Sequence, residues 1–255
     1  MSFNLRYSTA PDGENRWELR KELALARIHA YAPDLLGLQE CQDNDQARFV
    51  KAQLPNYHFA GVRRSQNGNA DDEIAPVLVE QSMFQLIETG HFWLSETPHV
   101  IGSKHWGSAF PRTVTWAKLL HLPTGRPLMF VNTHFDYQPP AVAASAVMFH
   151  PWLVQAQQEL PVILTGDFNA DKESSAYRLM TGADGLCDAY RQVHPHDPSE
   201  STFHGFGQSA ALQPIDWILV SRHFTAISAT IDRTSQGRLF PSDHYPVLAE
   251  LVWRD

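Results

Sequence analysis

Short apolar runs that stop abruptly on polar residues limit how this chain folds more than any other feature. Val162-Ile163-Leu164-Thr165 is followed at once by Gly166-Asp167-Phe168-Asn169, and the run 128–131 leads into Asn132-Thr133-His134-Phe135-Asp136. Leu35-Leu36-Gly37-Leu38-Gln39 closes on Glu40 in the same way, and Asp216 stands at the start of the run 215–220. Runs this short, bounded by polar residues and Gly or Pro, read as buried strands. Further strands are expected at 1–7, 57–62, 74–79, 84–93, 113–120, 202–204 and 247–253. Helices are expected at 15–31, 45–54, 141–160 (kinked or split at Pro151) and near 174–180. Asn15 with Glu18 resembles a capping box for the first helix, with Leu19, Leu23, Ala26 and Ala30 on one face. Many strands and few helices predict packed sheets flanked by helices.

The chain has 255 residues, 43% of them hydrophobic, with 14 Phe, 7 Trp and 7 Tyr, enough for a large core. It has no linker-like Ser/Gly/Pro run and no internal repeat, so one domain spanning 1–255 is expected. A net charge of −8 argues against a protein that holds long nucleic acids by charge alone, and a short or small phosphate ester fits better. Cys41 and Cys187 lack metal-ligand or CxxC spacing and read as inert thiols. No run approaches the ~20 apolar residues of a membrane span. No signal peptide is visible, so a cytoplasmic location is expected, and a monomer is assumed. Asn4 lies close to the start for a strand of ~5–6 residues, which leaves upstream trimming, and with it secretion, open.

The strand-end residues carry the chemistry. Alternation puts Asp167 and Asn169 on one face, where a carboxylate and an amide can take a water's proton and aim it. Alone, Asp-Phe-Asn is better read as a turn that caps backbone amides. His134 can donate to a phosphate oxygen with Asp136 orienting it, although a satisfied strand-end histidine would look the same. Asp243-His244 offers an imidazole beside a carboxylate, and a second carboxylate would fix its tautomer. The bland alternative is an exposed turn before Pro246. Glu40 follows an almost wholly apolar strand and needs a partner or a metal. Hard oxygen ligands suit Mg²⁺, and no zinc motif is present.

Six blocks in order strengthen these readings: Ser-Phe-Asn4-Leu-Arg, Leu-Gln-Glu40, Asn-Thr-His134, Gly-Asp167-Phe-Asn169, Ile-Asp216-Trp-Ile and Ser-Asp243-His244-Tyr-Pro. Together they resemble the endonuclease/exonuclease/phosphatase superfamily over nearly the whole chain. The resemblance implies a DNase I-like four-layer sandwich, α+β, with two packed mixed sheets flanked by helices. It implies Mg²⁺, with Mn²⁺ as a substitute, held by Glu40 with Asn4 and Asp243 nearby. Asp167 would activate the water or protonate the leaving oxygen, and Asn169 would orient the water or phosphate. His134 would bond a phosphate oxygen. His244, oriented by Asp216, would be the acid/base or phosphate-binding group. Arg112 matches a phosphate-contacting arginine, and Glu73 matches more loosely a carboxylate that supports His134. The implied activity is hydrolysis of a phosphoester, preferentially a phosphodiester, including a nuclease acting on short or single-stranded nucleic acid. The alternatives are a phosphomonoesterase or a lipid or sugar phosphodiesterase on the same site. A non-catalytic binding module is disfavoured because no core position is substituted. Trp93, His99, Trp106 and Phe110 make an aromatic loop, either a base- or sugar-stacking wall or a lid that packs on itself. Arg63-Arg64 reads as a solvated pair.

Overall fold

The computed structural model describes residues 1–65, 68–69, 71–197, 201–209 and 214–254. Its elements begin with β1 (Ser2–Asn4), α1 (Trp17–Tyr31), β2 (Leu35–Gln39), β3 (Cys41–Gln42), α2 (Asp45–Gln53), β4 (Tyr57–Ala60), β5 (Glu73–Ile74) and β6 (Val77–Glu80). The middle holds β7 (Phe84–Trp93), β8 (Thr113–His121), β9 (Arg126–His134), α3 (Pro139–Glu159), β10 (Val162–Asp167) and α4 (Ser175–Met180). The chain closes with β11 (Cys187–Asp188), α5 (Ala189–Val193), β12 (Asp216–Val220), β13 (Phe224–Ile231) and β14 (Val247–Trp253).

All six residues of β10 are buried, because a second sheet covers one face of its sheet and helices cover the other. One six-stranded sheet runs β13-β14-β1-β2-β6-β4 and the other β11-β12-β10-β9-β8-β7. Val79, Phe130, Ile218, Val220 and Ile231 fill the space between them. Outside the first sheet, Trp17 and Ile28 of α1 and Val50 of α2 pack on Phe3 and Leu36. Outside the second, Phe149 of α3 and Met180 of α4 pack with Phe135, Phe168 and Trp217. The result is the expected α+β sandwich of helix, sheet, sheet and helix, with both sheets mixed.

Register brings the polar strand ends to one rim. β9 and β10 run parallel, with His134 opposite Asp167. β12 runs antiparallel to β10, so its first residue, Asp216, also faces Asp167. In the other sheet β1 and β2 run parallel, with Asn4 opposite Gln39, the residue before Glu40.

Several local expectations are corrected. The first strand stops at Asn4, because Arg6 takes a left-handed φ of 55° and turns the chain. Asn15 lies in a 3₁₀ turn ahead of α1 and accepts from the Phe240 backbone N–H, so it caps no helix. The buried stripe of α1 runs through Trp17, Arg20, Ala24 and Ile28, while Leu19 is 45% exposed. A buried arginine interrupts the apolar pattern there and disguises the true face. α3 passes unbroken through Pro151, which lies on its exposed side, where solvent can satisfy the carbonyl it frees. Residues 202–204 form only an isolated bridge, Phe203 to His244. The short α5 and the strands β3, β11 and β13 were not anticipated. In β13 small residues and a bulge between Ala226 and Ser228 blur the alternation.

Candidate active site

The rim opens into a cleft of about 1380 Å³, lined by Glu40, Glu73, Arg112, His134, Asp167, Asn169, Asp243 and His244, among others. Asn4, Asp136 and Asp216 are buried just behind it. The expected catalytic, phosphate-binding, metal and supporting residues therefore gather around one opening.

Two of them sit on unusual backbone. Glu40 (φ 55°) and Asn169 (φ 47°) are non-glycine residues in the left-handed region, directly after β2 and two residues after β10. Such strain persists only where the surroundings enforce it. Here the Asn169 N–H donates to Asp167 Oδ1 at 2.9 Å, and the Tyr7 N–H donates to Glu40 Oε2 at 3.1 Å. The amide nitrogen of Asn4 joins the two sheets, donating to Glu40 Oε1 at 3.1 Å and to Asp167 Oδ2 at 2.8 Å. The Arg6 N–H donates to Asn4 Oδ1, which fixes the amide's orientation.

Asp167 is buried among Asn4, His134, Asn169 and His244. Burial, then Asp216, push its pKa up to about 7, while His244, the Asn169 N–H and Asn4 oppose the rise. His244 Nδ1 stands 2.8 Å from Asp216 Oδ2, and its Nε2 lies 3.7 Å from Asp167 Oδ2. Burial works against a charged His244, but Asp216 and Asp167 outweigh it and hold the pKa well above the usual imidazole range. Among the described residues, Asp216 Oδ1 is buried with no hydrogen-bond partner. Asp243 is also raised, by burial and by Glu40, with His244, Arg6 and Arg20 opposing.

His134 behaves in the opposite way. Burial, then Arg112, keep its pKa well below the ordinary value, so the ring is neutral. Arg112 Nη1 donates to His134 Nδ1 at 2.9 Å, which leaves the ring proton on Nε2. Asp136 acts on His134 through Arg112, accepting from its Nε at 3.4 Å and from the Phe110 and Gln138 N–H groups. Burial pushes the Asp136 pKa up, but these backbone donors and Arg112 bring it below the usual carboxylate range. Glu73 accepts from Arg64 Nη1 at 2.5 Å and makes no hydrogen bond to His134. Burial and then Glu40 push its pKa up to about 7, against Arg64.

The donor set suits a hard divalent cation. Ligand atoms of Glu40, His134 and Asp167 lie within 4.8 Å of one another, as do those of Asp167, Asp216 and His244. With both nitrogens of His134 committed as above, the available donors are carboxylate oxygens, and Cys41 is buried in the α1/α2 core away from them.

Other residues of the cleft escaped the sequence reading. Arg6 pairs with Asp12 at 3.1 Å and approaches Asp243 at 3.6 Å. Arg64 is not solvated: it binds Glu73, and its guanidinium lies 4.4 Å from the centre of the Phe110 ring. Arg63 pairs separately with Asp43 at 2.7 Å. The buried Arg20 donates to the carbonyls of Leu5, Arg6, Asn15 and Pro241 and ties the first loop to the one before His244. The arginine inside Ser-Phe-Asn-Leu-Arg is the sequence signal for Arg6. Within the aromatic loop, Trp93 packs inside and donates to the Arg64 carbonyl, and Trp106 donates to Glu96. Phe110 faces the cleft.

Stacked mixed sheets with acidic and imidazole groups at one rim can hold a divalent cation beside a phosphoryl group. The chain belongs to the endonuclease/exonuclease/phosphatase family, whose sequence profile matches residues 1–244. The family's description names endonucleases, exonucleases and phosphatases. An endonuclease/exonuclease/phosphatase from Bacteroides vulgatus is 31% identical with a TM-score of 0.90, over 99% of this chain and 97% of that one. A mannosyl-6-phosphatase from Bacteroides thetaiotaomicron is also 31% identical, with a TM-score of 0.87 over 99% and 98% of the two chains. Rat Nocturnin is 25% identical over 91% of this chain and 56% of its own length. The chain thus spans little more than half the length of the curated relatives it matches first, 60% and 56%. Among the described residues, no helix is long and apolar enough to cross a membrane.

Proposed function

We propose that residues 1–255 act as one domain that hydrolyses phosphate esters by attack of an activated water, with Mg²⁺ as cofactor and Mn²⁺ able to replace it. The donor pair at His134 carries the reading. His134 Nε2 bears the ring proton, and the Asn169 amide nitrogen lies 3.1 Å away, its orientation fixed by donation to the Phe135 carbonyl at 2.9 Å. Two donors this close are best satisfied by a shared acceptor, and a phosphoryl oxygen is one. A divalent cation held by Glu40, with Asn4 and Asp243 nearby, would neutralise charge on the phosphoryl group when bound.

Asp167 takes a proton from the water or returns one to the leaving oxygen. The charged His244, held by Asp216, supplies the second proton-transfer or phosphate-binding group. Arg112 fixes the His134 tautomer and adds positive charge beside the phosphate. The family includes nucleases, which supports a phosphodiester substrate, whereas the 31%-identical mannosyl-6-phosphatase supports a monoester. The chemistry is tested with p-nitrophenyl phosphate and bis-p-nitrophenyl phosphate in Mg²⁺, Mn²⁺ or EDTA. Turnover of at least one ester that EDTA abolishes is expected. A folded chain that turns over neither with either metal would end the proposal.

A further inference from the structure

We propose that the cleft takes an ester with a single phosphoryl group on an otherwise uncharged, hydroxyl-rich body, a sugar or polyol phosphate, rather than a nucleic-acid strand. This rests on the phosphoester reading above and adds the substrate class. Among the described residues, seven carboxylates, three arginines and no lysine line the cleft. Each arginine is already engaged by an acidic group. Arg6 holds Asp12 at 3.1 Å, Arg64 holds Glu73 at 2.5 Å, and Arg112 approaches Asp136 at 3.4 Å. A nucleic-acid strand brings a charge with every nucleotide, and proteins that hold one line its track with Lys and Arg. Asp12 is offset by Arg6, but Glu14 and Asp71 also line the cleft without an arginine partner among the described residues and repel a second phosphate. Positions 66–67, 70 and 210–213 contain no Lys or Arg to change that balance.

The same lining suits hydroxyl groups. Carboxylate and amide oxygens accept O–H donors, and Asn15 and Gln208 add amides to the carboxylates of the cleft. Phe110 and Tyr137 flank the opening, 42% and 52% exposed, with ring centres 6.5 Å apart. Exposed aromatic rings at a polar cleft offer faces for the C–H surface of a sugar ring.

The test compares kcat/KM, in Mg²⁺, for hexose 6-phosphates, a hexose bisphosphate, a single-stranded oligodeoxynucleotide and the two p-nitrophenyl esters. Hexose monophosphates are expected to exceed both the bisphosphate and the oligonucleotide by about tenfold or more. Equal or better turnover of the oligonucleotide or the bisphosphate overturns the substrate class. If that happens while a p-nitrophenyl ester is still cleaved, the hydrolase reading stands; if no ester is cleaved, both fall. Glu14→Lys adds a cation at the rim and is expected to narrow the monophosphate-to-oligonucleotide ratio several-fold. An unchanged ratio removes charge as its cause.

Discussion

His244 and Asp167 both have raised pKa values within one contact, for different reasons. Asp216 and Asp167 outweigh burial and keep the imidazole charged, while burial and Asp216 push Asp167 up to about 7. Removing the Asp216 charge in Asp216→Asn takes away the nearest support for the imidazolium, 2.8 Å from Nδ1. The His244 pKa is then expected to fall, and the alkaline limb of the kcat/KM profile to move to lower pH by about one unit or more. An unmoved limb, read with p-nitrophenyl ester in Mg²⁺, would detach His244 from the rate. The stability linked to His244 follows the same charge. Its folded pKa lies above the unfolded value of 6.5, so that contribution is full below 6.5 and is lost as pH rises through the folded pKa. For Asp167→Asn, a loss of about 10²–10⁴ in kcat is expected, with circular dichroism unchanged. Retained turnover would remove Asp167 from proton transfer. These residues were legible in the sequence because each lies in a short block at a strand end. Arg64 and Arg20 were not, because their partners are set by loop geometry: Arg64 meets Phe110, and Arg20 meets the carbonyl of Pro241.

At the scale of elements, a buried polar layer between the sheets sets the site's spacing. Asn132 of β9 donates to the carbonyls of Leu38 and Pro76, at 2.7 and 2.9 Å. It accepts from Gln39 of β2 at 2.7 Å and from Thr165 of β10 at 3.0 Å. The layer lies directly beneath Glu40, His134 and Asp167, so the separation of β2 from β9 and β10 fixes the distances between those groups. Gly37 makes this approach possible: a Cβ there would stand 2.1 Å from Thr165 Oγ1 and 2.5 Å from Asn132 Oδ1. Gly37→Ala must therefore push β2 away or break the layer. A loss of about 3 kcal/mol is expected, the upper end of overpacking costs, together with reduced activity. Urea unfolding measures it, and a midpoint equal to that of the parent would show that the sheets tolerate more separation than this packing implies. β2, β7, β9, β10 and β14 were readable because each is a long apolar or alternating run. β13 was not, because FTAISATI mixes Thr, Ser and Ala with few large side chains and is held in place by pairing with β14.

For the whole molecule, the layered class followed from counting strands against helices, whereas sheet order followed from no local signal. β1, at the N-terminal end, pairs with β14 at the other end of the sequence, a contact that only the folded topology supplies. His204 is buried beside the loop that carries His244. Its ring stacks on Tyr245 with centres 4.0 Å apart. The Gly207 N–H donates to His204 Nδ1, and Nε2 is buried without a partner among the described residues. Burial, then the charged His244, lower the His204 pKa to about 4. The unfolded chain takes up this proton near 6.5, so stability is lost as pH falls from 6.5 toward 4, by about 2 kcal/mol between pH 7 and 5. Glu73 and Asp167 act in the opposite direction, since carboxylates raised to about 7 bind protons first in the folded state. The parent's net pH dependence therefore mixes cancelling contributions. His204→Asn isolates one of them, because Asn keeps an acceptor for the Gly207 N–H and cannot be protonated. The variant is expected to be less stable at pH 7, having lost the ring stack, yet to lose about 4–8 °C less in Tm than the parent on going from pH 7 to 5. Parallel Tm curves for the two proteins would mean that His204 is already solvated, and that the loop before His244 opens well short of global unfolding.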